Sequence, residues 1–150
     1  MKERVNIGKT APALYQAVYN LDKQAAEMAA SAGISEGFAH LLRLRGSQIN
    51  QCAFCTRLHT RDALAVGESV DRVSVLPAWR ESAYFNHKER ASLELMEAIT
   101  LISEGQVPDA IYEHAASSLS VDEITAVEWL AIVINAWNRI AISSRYTVAP

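Results

Sequence analysis

The chain has 150 residues, of which 50% are hydrophobic, and a net charge of −3. A domain of this length buries about 70% of the surface that its unfolded chain exposes, so it needs no disulfide or metal staple to fold. The mixed charges provide no basic surface for nucleic acid or anionic lipid, and no apolar run reaches the length of about eighteen residues that spans a membrane. The charged amino terminus lacks the apolar segment of a signal peptide. We therefore expect a cytoplasmic protein without nucleic-acid or membrane partners.

Apolar residues recur at helical spacing along the chain, and capping or turn residues divide them into segments. Each predicted helix begins near a residue that caps a helix or occupies its first turn: Thr10 with Pro12, Ser35, Asn50 or Gln51, Ser69, Asn86, Pro108 and Ser120. The predicted ends lie at breakers or at the last periodic residue: Ala32 before Gly33, the turn-rich segment 46–51, Gly67, Pro77, Gly105, Ala115 and Arg145. No segment alternates with the period of two that a strand requires. The sequence thus predicts an all-α fold, a single-domain bundle of six or seven helices over residues 1–150.

The last predicted helix, from about Val121 to Arg145, is apolar on most of its sides. A helix of this kind is expected to be buried all round. In a small domain this indicates that one side packs in the core and another side packs against a second subunit, since monomers rarely expose large apolar patches. Asn135 and Asn138 in this helix need hydrogen-bond partners, either across such an interface or in a functional site. We therefore expect a homo-oligomer.

Both cysteines of the chain, Cys52 and Cys55, follow the predicted break and are followed by His59. Their spacing places the three side chains on one face of a helix, with Cys55 and His59 one turn apart. A helix start, a neighbouring base and a C-x-x-C pair each favour the reactive thiolate, so a lowered thiol pKa is expected. Three arginines near the motif would add positive potential: Arg43, Arg45 and Arg57. The pair therefore indicates redox chemistry or metal binding.

A thioredoxin-like site requires strands beside its helix, and this sequence predicts none. The stretch from Leu41 to Cys55, with its continuation to His59, instead resembles the core of the AhpD-like alkylhydroperoxidases in the carboxymuconolactone decarboxylase superfamily. The segment 134–139, with the sequence Ile-Asn-Ala-Trp-Asn-Arg, resembles the carboxy-terminal helix of that group. The resemblance covers most of the chain, from about Val5 to Arg145, and the cysteine motif is its most specific part.

The resemblance implies a role for each residue of the motif. Cys55 attacks a hydroperoxide and becomes a sulfenic acid, and Cys52 resolves it to a disulfide. His59 accepts the thiol proton, directly or through water. An external thiol or dihydrolipoyl group reduces the disulfide, and no bound cofactor is implied. The protein implied is an alkyl hydroperoxide reductase or disulfide oxidoreductase that acts on organic hydroperoxides and assembles as a trimer or a hexamer.

One position departs from the family pattern. The family's proton relay usually includes a glutamate twelve residues before the first cysteine, where this chain has His40. A histidine passes a proton, but it does not supply the fixed negative charge that orients and charges its partner. Glu36, one helical turn earlier, would reach the site if the helix is turned suitably. His40 is therefore the fourth predicted site residue, as a modified member of the relay.

A zinc site is the main alternative, because the two cysteines with His40 and His59 provide a Cys₂His₂ set that tetrahedral zinc accepts. Against it, a C-x₂-C-x₃-H spacing on one continuous helix differs from the usual spacing of zinc ligands. In a purely structural interpretation, the cysteines are buried small residues of a helical core. The superfamily's decarboxylases act on a lactone acid and lack the paired cysteines, so that activity fits least. A non-catalytic zinc-binding or assembly protein on the same scaffold is the second hypothesis.

Overall fold

The computed structural model describes residues 2–150, which form eight α-helices and no strand. In chain order the helices are α1 (Ile7–Thr10), α2 (Pro12–Ser31), α3 (Glu36–Ile49), α4 (Ala53–Ala65), α5 (Val70–Val75), α6 (His87–Thr100), α7 (Asp109–Ser118) and α8 (Val121–Ser143). Two short 3₁₀ turns, Leu76–Ala78 and Ile102–Glu104, follow α5 and α6. The predicted all-α bundle is confirmed, and the four-residue α1 is an additional helix. No described helix is long and apolar enough to cross a membrane.

The amino-terminal helix boundary differs from the prediction. Asn6 is the N-cap of α1, because its side chain accepts a hydrogen bond from the Lys9 backbone N–H at 3.1 Å. The Thr10 hydroxyl is turned back into α1 and donates to the Asn6 carbonyl at 3.3 Å. Helix α2 then begins at Pro12 without a side-chain cap, since proline has no N–H that needs a partner. Thr10 is therefore the end of α1 and not the N-cap of α2.

Most other helix ends lie close to their predicted positions. Four side chains cap helices by accepting from a backbone N–H three residues ahead: Ser35, Ser69, Asn86 and Ser120. Gly33 follows α2 with a left-handed φ of 86°. This is the conformation expected of a glycine that ends a helix, as predicted. Helix α6 ends at Thr100 and not at Gly105, because the chain tightens there into a 3₁₀ turn. Local capping chemistry thus accounts for most boundaries.

The break before the cysteines is shorter than predicted. Helix α3 continues through Gly46, which lets the backbone approach α8 closely: a Cβ atom at Gly46 would lie 3.1 Å from Ile134 Cγ2. The chain turns only afterwards, where Gln51 adopts a left-handed φ of 56°. Cys52, and neither Asn50 nor Gln51, is the N-cap of α4. Gly46 is therefore a packing residue, and a tight turn delivers the first cysteine to the start of α4.

Helices α3, α6 and α8 form the centre of the core. Their fully buried side chains are mostly leucines: Leu41, Leu42, Leu44, Leu93, Leu95 and Leu130. Helix α2 packs against α8, and α4 packs against α3. The prediction that the last helix is buried all round is wrong for the single chain, since Trp129 and Ile132 are 41% and 45% exposed. Only the inner stripe of α8 enters the core, and the apolar residues of its outer side face away from it.

Candidate active site

The two cysteines lie at the start of α4 with their sulfur atoms in contact. Both are free thiols, and the Cys52 thiol donates to the Cys55 sulfur over 2.7 Å. The backbone N–H of Cys55 donates to Cys52 Sγ at 3.4 Å, which closes the first turn of the helix. Both residues are buried, with exposed fractions of 1% and 4%. Because a disulfide requires an S–S distance of about 2.05 Å, a small movement would join them.

The pKa of the Cys55 thiol is raised to about 12, which is opposite to the direction expected from the motif. Burial is the largest cause, because it penalises the thiolate, and the contact with Cys52 adds to it. The Asn138 side chain acts in the other direction by hydrogen bonding to the sulfur, but it does not outweigh burial. Cys55 is therefore a protonated thiol at neutral pH, and its reaction requires a base.

His59 lies one turn beyond Cys55 and faces His40 of α3. The Nδ1 atoms of the two histidines are 3.4 Å apart, and their rings are tilted by 31°. Burial, then the Arg43 charge and then His40 lower the pKa of His59 to about 3. Burial and then Arg43 also lower the pKa of His40. Both imidazoles are therefore neutral at pH 7, and each has one nitrogen that accepts a proton.

A cavity of about 240 Å³ contains both the Cys55 and the His59 side chains. Its remaining walls are mainly aromatic or aliphatic: Tyr15, Tyr19, Phe54, Leu58, Trp137 and Tyr146. Among the described residues, no hydrogen bond joins the Cys55 thiol directly to His59. Of the two proton routes that the resemblance implied, transfer through a water molecule in this cavity therefore fits the geometry better.

The carboxylate nearest to His59 belongs to Asp62, which the sequence analysis missed. Its Oδ2 atom lies 3.9 Å from His59 Nδ1. The signal that would have identified it is its position three residues after His59, on the same face of the helix. Glu36 acts on His40 only through its charge and makes no hydrogen bond to it within the described chain. The site therefore has a carboxylate, but it comes from α4 and not from the turn before His40.

Asn135 and Asn138 find their partners within the chain. The Asn50 amide donates to both of their Oδ1 atoms at 2.9 Å. Asn138 is 1% exposed and also donates to Ser47 Oγ at 3.0 Å. Together with its effect on the pKa of Cys55, this places Asn138 beside the thiols. Asn138 therefore lies in the site and does not need a partner across a subunit interface. The hydrogen bonds from Asn50 to Asn135 and Asn138 hold the turn before α4.

The three arginines near the motif have separate partners. Arg43 contacts Asp22 at 2.9 Å, and Arg45 contacts Glu97 at 2.7 Å. Arg57 donates to the Ala149 carbonyl at 2.6 Å. Of the three, Arg43 acts on the site, where it lowers the pKa values of His40 and His59. The expected positive potential therefore opposes protonation of the histidines and is not what sets the pKa of Cys55.

The cysteines and histidines do not converge on one point. Within residues 2–150, one group of side chains has donor atoms close enough to share a metal ion, and it consists of His40, His59 and Asp62, all within 4.8 Å of one another. Neither cysteine belongs to that group. The Cys₂His₂ set considered from the sequence is therefore not assembled. The site is a buried dithiol beside a neutral histidine pair.

Comparison with known proteins agrees with this fold and site. Residues 12–98 match the model of the carboxymuconolactone decarboxylase family, and the chain belongs to this family. The chain is 34% identical over 143 residues to the uncharacterized protein YdfG of Bacillus subtilis (strain 168), with 95% of each chain covered. It also resembles the crystal structure of ATU0492 from Agrobacterium tumefaciens, a protein of unknown function described as a proposed antioxidant defence protein AhpD. That structure has a TM-score of 0.89 and 34% identity, with 99% of each chain covered. The AhpD-like fold is thus confirmed, and the family supports a role of the AhpD type.

Proposed function

We propose that the protein is a thiol-dependent alkyl hydroperoxide reductase in which Cys55, Cys52, His59 and His40 act together. The observation that carries this proposal is the 2.7 Å contact of two buried thiols, one of which lines a cavity shared with a neutral histidine. A dithiol in this arrangement supplies two electrons to an oxidant and closes to a disulfide. Membership of the carboxymuconolactone decarboxylase family is consistent with this activity.

In the first step, the Cys55 sulfur attacks the terminal oxygen of the hydroperoxide. The O–O bond breaks, Cys55 becomes a sulfenic acid, and the alcohol leaves after receiving the thiol proton. His59 takes that proton through water and returns it to the leaving alkoxide. His40 orients His59, because a hydrogen bond between the two Nδ1 atoms selects the tautomer of both rings. Cys55, and not Cys52, is the attacking residue, since only Cys55 lines the cavity.

In the second step, the Cys52 sulfur attacks the Cys55 sulfenic acid. The S–O bond breaks, the leaving hydroxyl takes the Cys52 thiol proton and departs as water, and the disulfide forms. An external thiol or dihydrolipoyl group then reduces the disulfide by thiol–disulfide exchange. Because Cys55 is the sulfur that lines the cavity, the reductant enters by the same route as the peroxide.

The cavity favours an organic hydroperoxide as the substrate. Aromatic and aliphatic side chains form most of its wall, so an alkyl or aryl group loses its contact with water there. The redox cycle requires a reducing compartment, which is consistent with the cytoplasm. The exposed Trp129 and Ile132 on α8 support a homo-oligomer, and the trimer or hexamer that we propose follows from the family resemblance. Sedimentation at micromolar concentration tests the assembly, and a monomer would contradict it.

The activity is tested with reduced, metal-free protein, cumene hydroperoxide and dihydrolipoamide. We expect loss of the hydroperoxide and loss of both thiols when the reductant is withheld. Cys55→Ser should abolish the reaction, whereas Cys52→Ser should react once and stop as a sulfenic acid that dimedone labels. Wild-type thiols that are inert to the hydroperoxide, or turnover that persists in Cys55→Ser, would refute the proposal.

A further inference from the structure

The geometry of the histidine pair suits a second role besides the orientation of His59. His40 and His59 come from different helices, and their Nδ1 atoms face each other at 3.4 Å. In a tetrahedral zinc site with Zn–N bonds of about 2.05 Å, two nitrogen ligands lie about 3.3 Å apart. The two Nδ1 atoms therefore have the separation of two ligands of one metal ion.

Asp62 provides a third donor on the same side. Its Oδ2 atom is 3.9 Å from His59 Nδ1, and all three donor atoms lie within 4.8 Å of one another. The Asp62 side chain is 40% exposed and, among the described residues, contacts only His59 as an ionic partner. A small rotation that brings it to ligand distance therefore breaks no buried interaction.

The charges around the three donors have both signs. Arg43 opposes positive charge at His40 and at His59, but its guanidinium is paired with Asp22 at 2.9 Å. The charges of Asp62, Glu36 and Asp22 favour positive charge at His40. The case for a cation therefore rests on the positions of the three donor atoms.

We propose that His40, His59 and Asp62 form a binding site for a divalent transition metal ion of the Zn²⁺ type. Two imidazoles and one carboxylate are a donor set that zinc accepts, and three protein ligands leave a fourth position open. The site is separate from the dithiol, because neither cysteine belongs to the group.

Metal binding would also control the thiols, and this second part rests on the proposed peroxidase function. A metal ion bound at Nδ1 of His59 leaves the ring proton on Nε2, so neither nitrogen accepts a proton. The proton of the Cys55 thiol then has no acceptor at His59. The metal-bound protein should therefore react slowly with hydroperoxides, and removal of the metal should restore the reaction.

The binding test uses reduced protein freed of metal by a chelator, titrated with Zn²⁺ by calorimetry and with Co²⁺ by absorption spectroscopy. We expect one ion per chain and no thiolate-to-cobalt charge-transfer band. The double variant Cys52→Ser/Cys55→Ser should bind within about twofold of the wild type, whereas Asp62→Ala and His40→Gln should bind at least about tenfold more weakly. His114→Gln, which changes a histidine that pairs with Glu94 outside the site, is the matched control.

Loss of binding in the double cysteine variant, a thiolate charge-transfer band, or unchanged binding in Asp62→Ala would overturn the metal site. Inhibition is scored separately, as the rate of thiol loss with cumene hydroperoxide at saturating Zn²⁺. We expect inhibition in the wild type and resistance in Asp62→Ala. If metal binds as described but the metal-free thiols do not react with the hydroperoxide, the peroxidase proposal fails and the metal site stands.

Discussion

Glu97 and the Cys55–His59 pair are all buried ionisable groups, but the surroundings of Glu97 stabilise its charged form and those of Cys55 and His59 stabilise their neutral forms. Arg45 Nε and Trp79 Nε1 donate to Glu97 Oε1 at 2.7 and 2.8 Å, and Arg80 donates to Oε2 at 2.5 Å. Burial alone would raise the pKa of Glu97, but these donors outweigh it and the pKa is lowered. Glu97 is thus a permanent anion with its partners in place.

Among the described residues, Cys55 and His59 have no oppositely charged partner at hydrogen-bond distance, since Cys55 contacts the Cys52 thiol and His59 contacts the His40 imidazole. Burial therefore dominates, raises the pKa of Cys55 to about 12 and lowers the pKa of His59 to about 3. Both groups are neutral at pH 7, so Cys55 holds a proton and His59 has a nitrogen that accepts one. Because the pKa of the thiol is the higher of the two, the proton leaves Cys55 only as the sulfur attacks its substrate. From this contrast we infer that the Glu97 cluster stabilises the fold and that the Cys55–His59 pair is suited to chemistry.

The largest effect that would test this contrast is expected from His59→Gln. Removal of the proton acceptor should slow the hydroperoxide reaction of the thiols by about 10²- to 10⁴-fold, the usual contribution of general base catalysis. The rate is measured as thiol loss after rapid mixing, and far-ultraviolet circular dichroism verifies the fold. His114→Gln should react like the wild type. A rate for His59→Gln within about threefold of the wild type would remove His59 from the mechanism.

The pH dependence of thiol reactivity is the second test. Because the pKa of Cys55 is raised to about 12, its thiolate fraction should grow about tenfold per pH unit from pH 7 to pH 10. Alkylation of Cys55 by iodoacetamide, followed by mass spectrometry of the labelled peptide, measures this increase. A plateau near pH 8.5, the ordinary range of a thiol, would show that burial does not control Cys55.

Glu97→Gln should affect the other cluster and leave the thiols unchanged. It leaves Arg45 buried without its anion, so we expect a loss of about 3 kcal/mol in the free energy of unfolding, measured with urea. The lowered pKa of Glu97 means that its contribution is present at neutral pH and is lost as the pH falls through the folded-state pKa. The difference from the wild type should therefore shrink in strong acid.

Glu94→Gln is the control for this variant, because Glu94 pairs with the half-exposed His114. It should change the stability much less than Glu97→Gln does. A slower hydroperoxide reaction in Glu97→Gln at a temperature where it is fully folded would contradict the separation of the two clusters.

The smallest effect is expected at the helix contact that positions the dithiol turn. A methyl group at Gly46 would lie 3.1 Å from Ile134 Cγ2, so Gly46→Ala should destabilise the protein by about 1 kcal/mol through overpacking. Thermal unfolding measures this loss. An unchanged or higher melting temperature would show that α3 and α8 adjust freely there.

Features that depend on neighbours along the chain could be predicted from the sequence. Caps such as Ser120, and the position of Cys55 and His59 one turn apart in one helix, follow from helical spacing alone. Features that depend on contacts between helices could not be predicted in this way. The pKa of Cys55 depends on burial that no local motif encodes, and Gly46 resembles a breaker unless its contact with α8 is known.

The measurement that tests the central claim most directly is the intact mass of the reduced, metal-free protein after one equivalent of cumene hydroperoxide. We predict the loss of two hydrogens per chain, with Cys52 and Cys55 joined in one peptide map and one cumyl alcohol released per chain. An unchanged mass with both thiols still titratable would contradict the account.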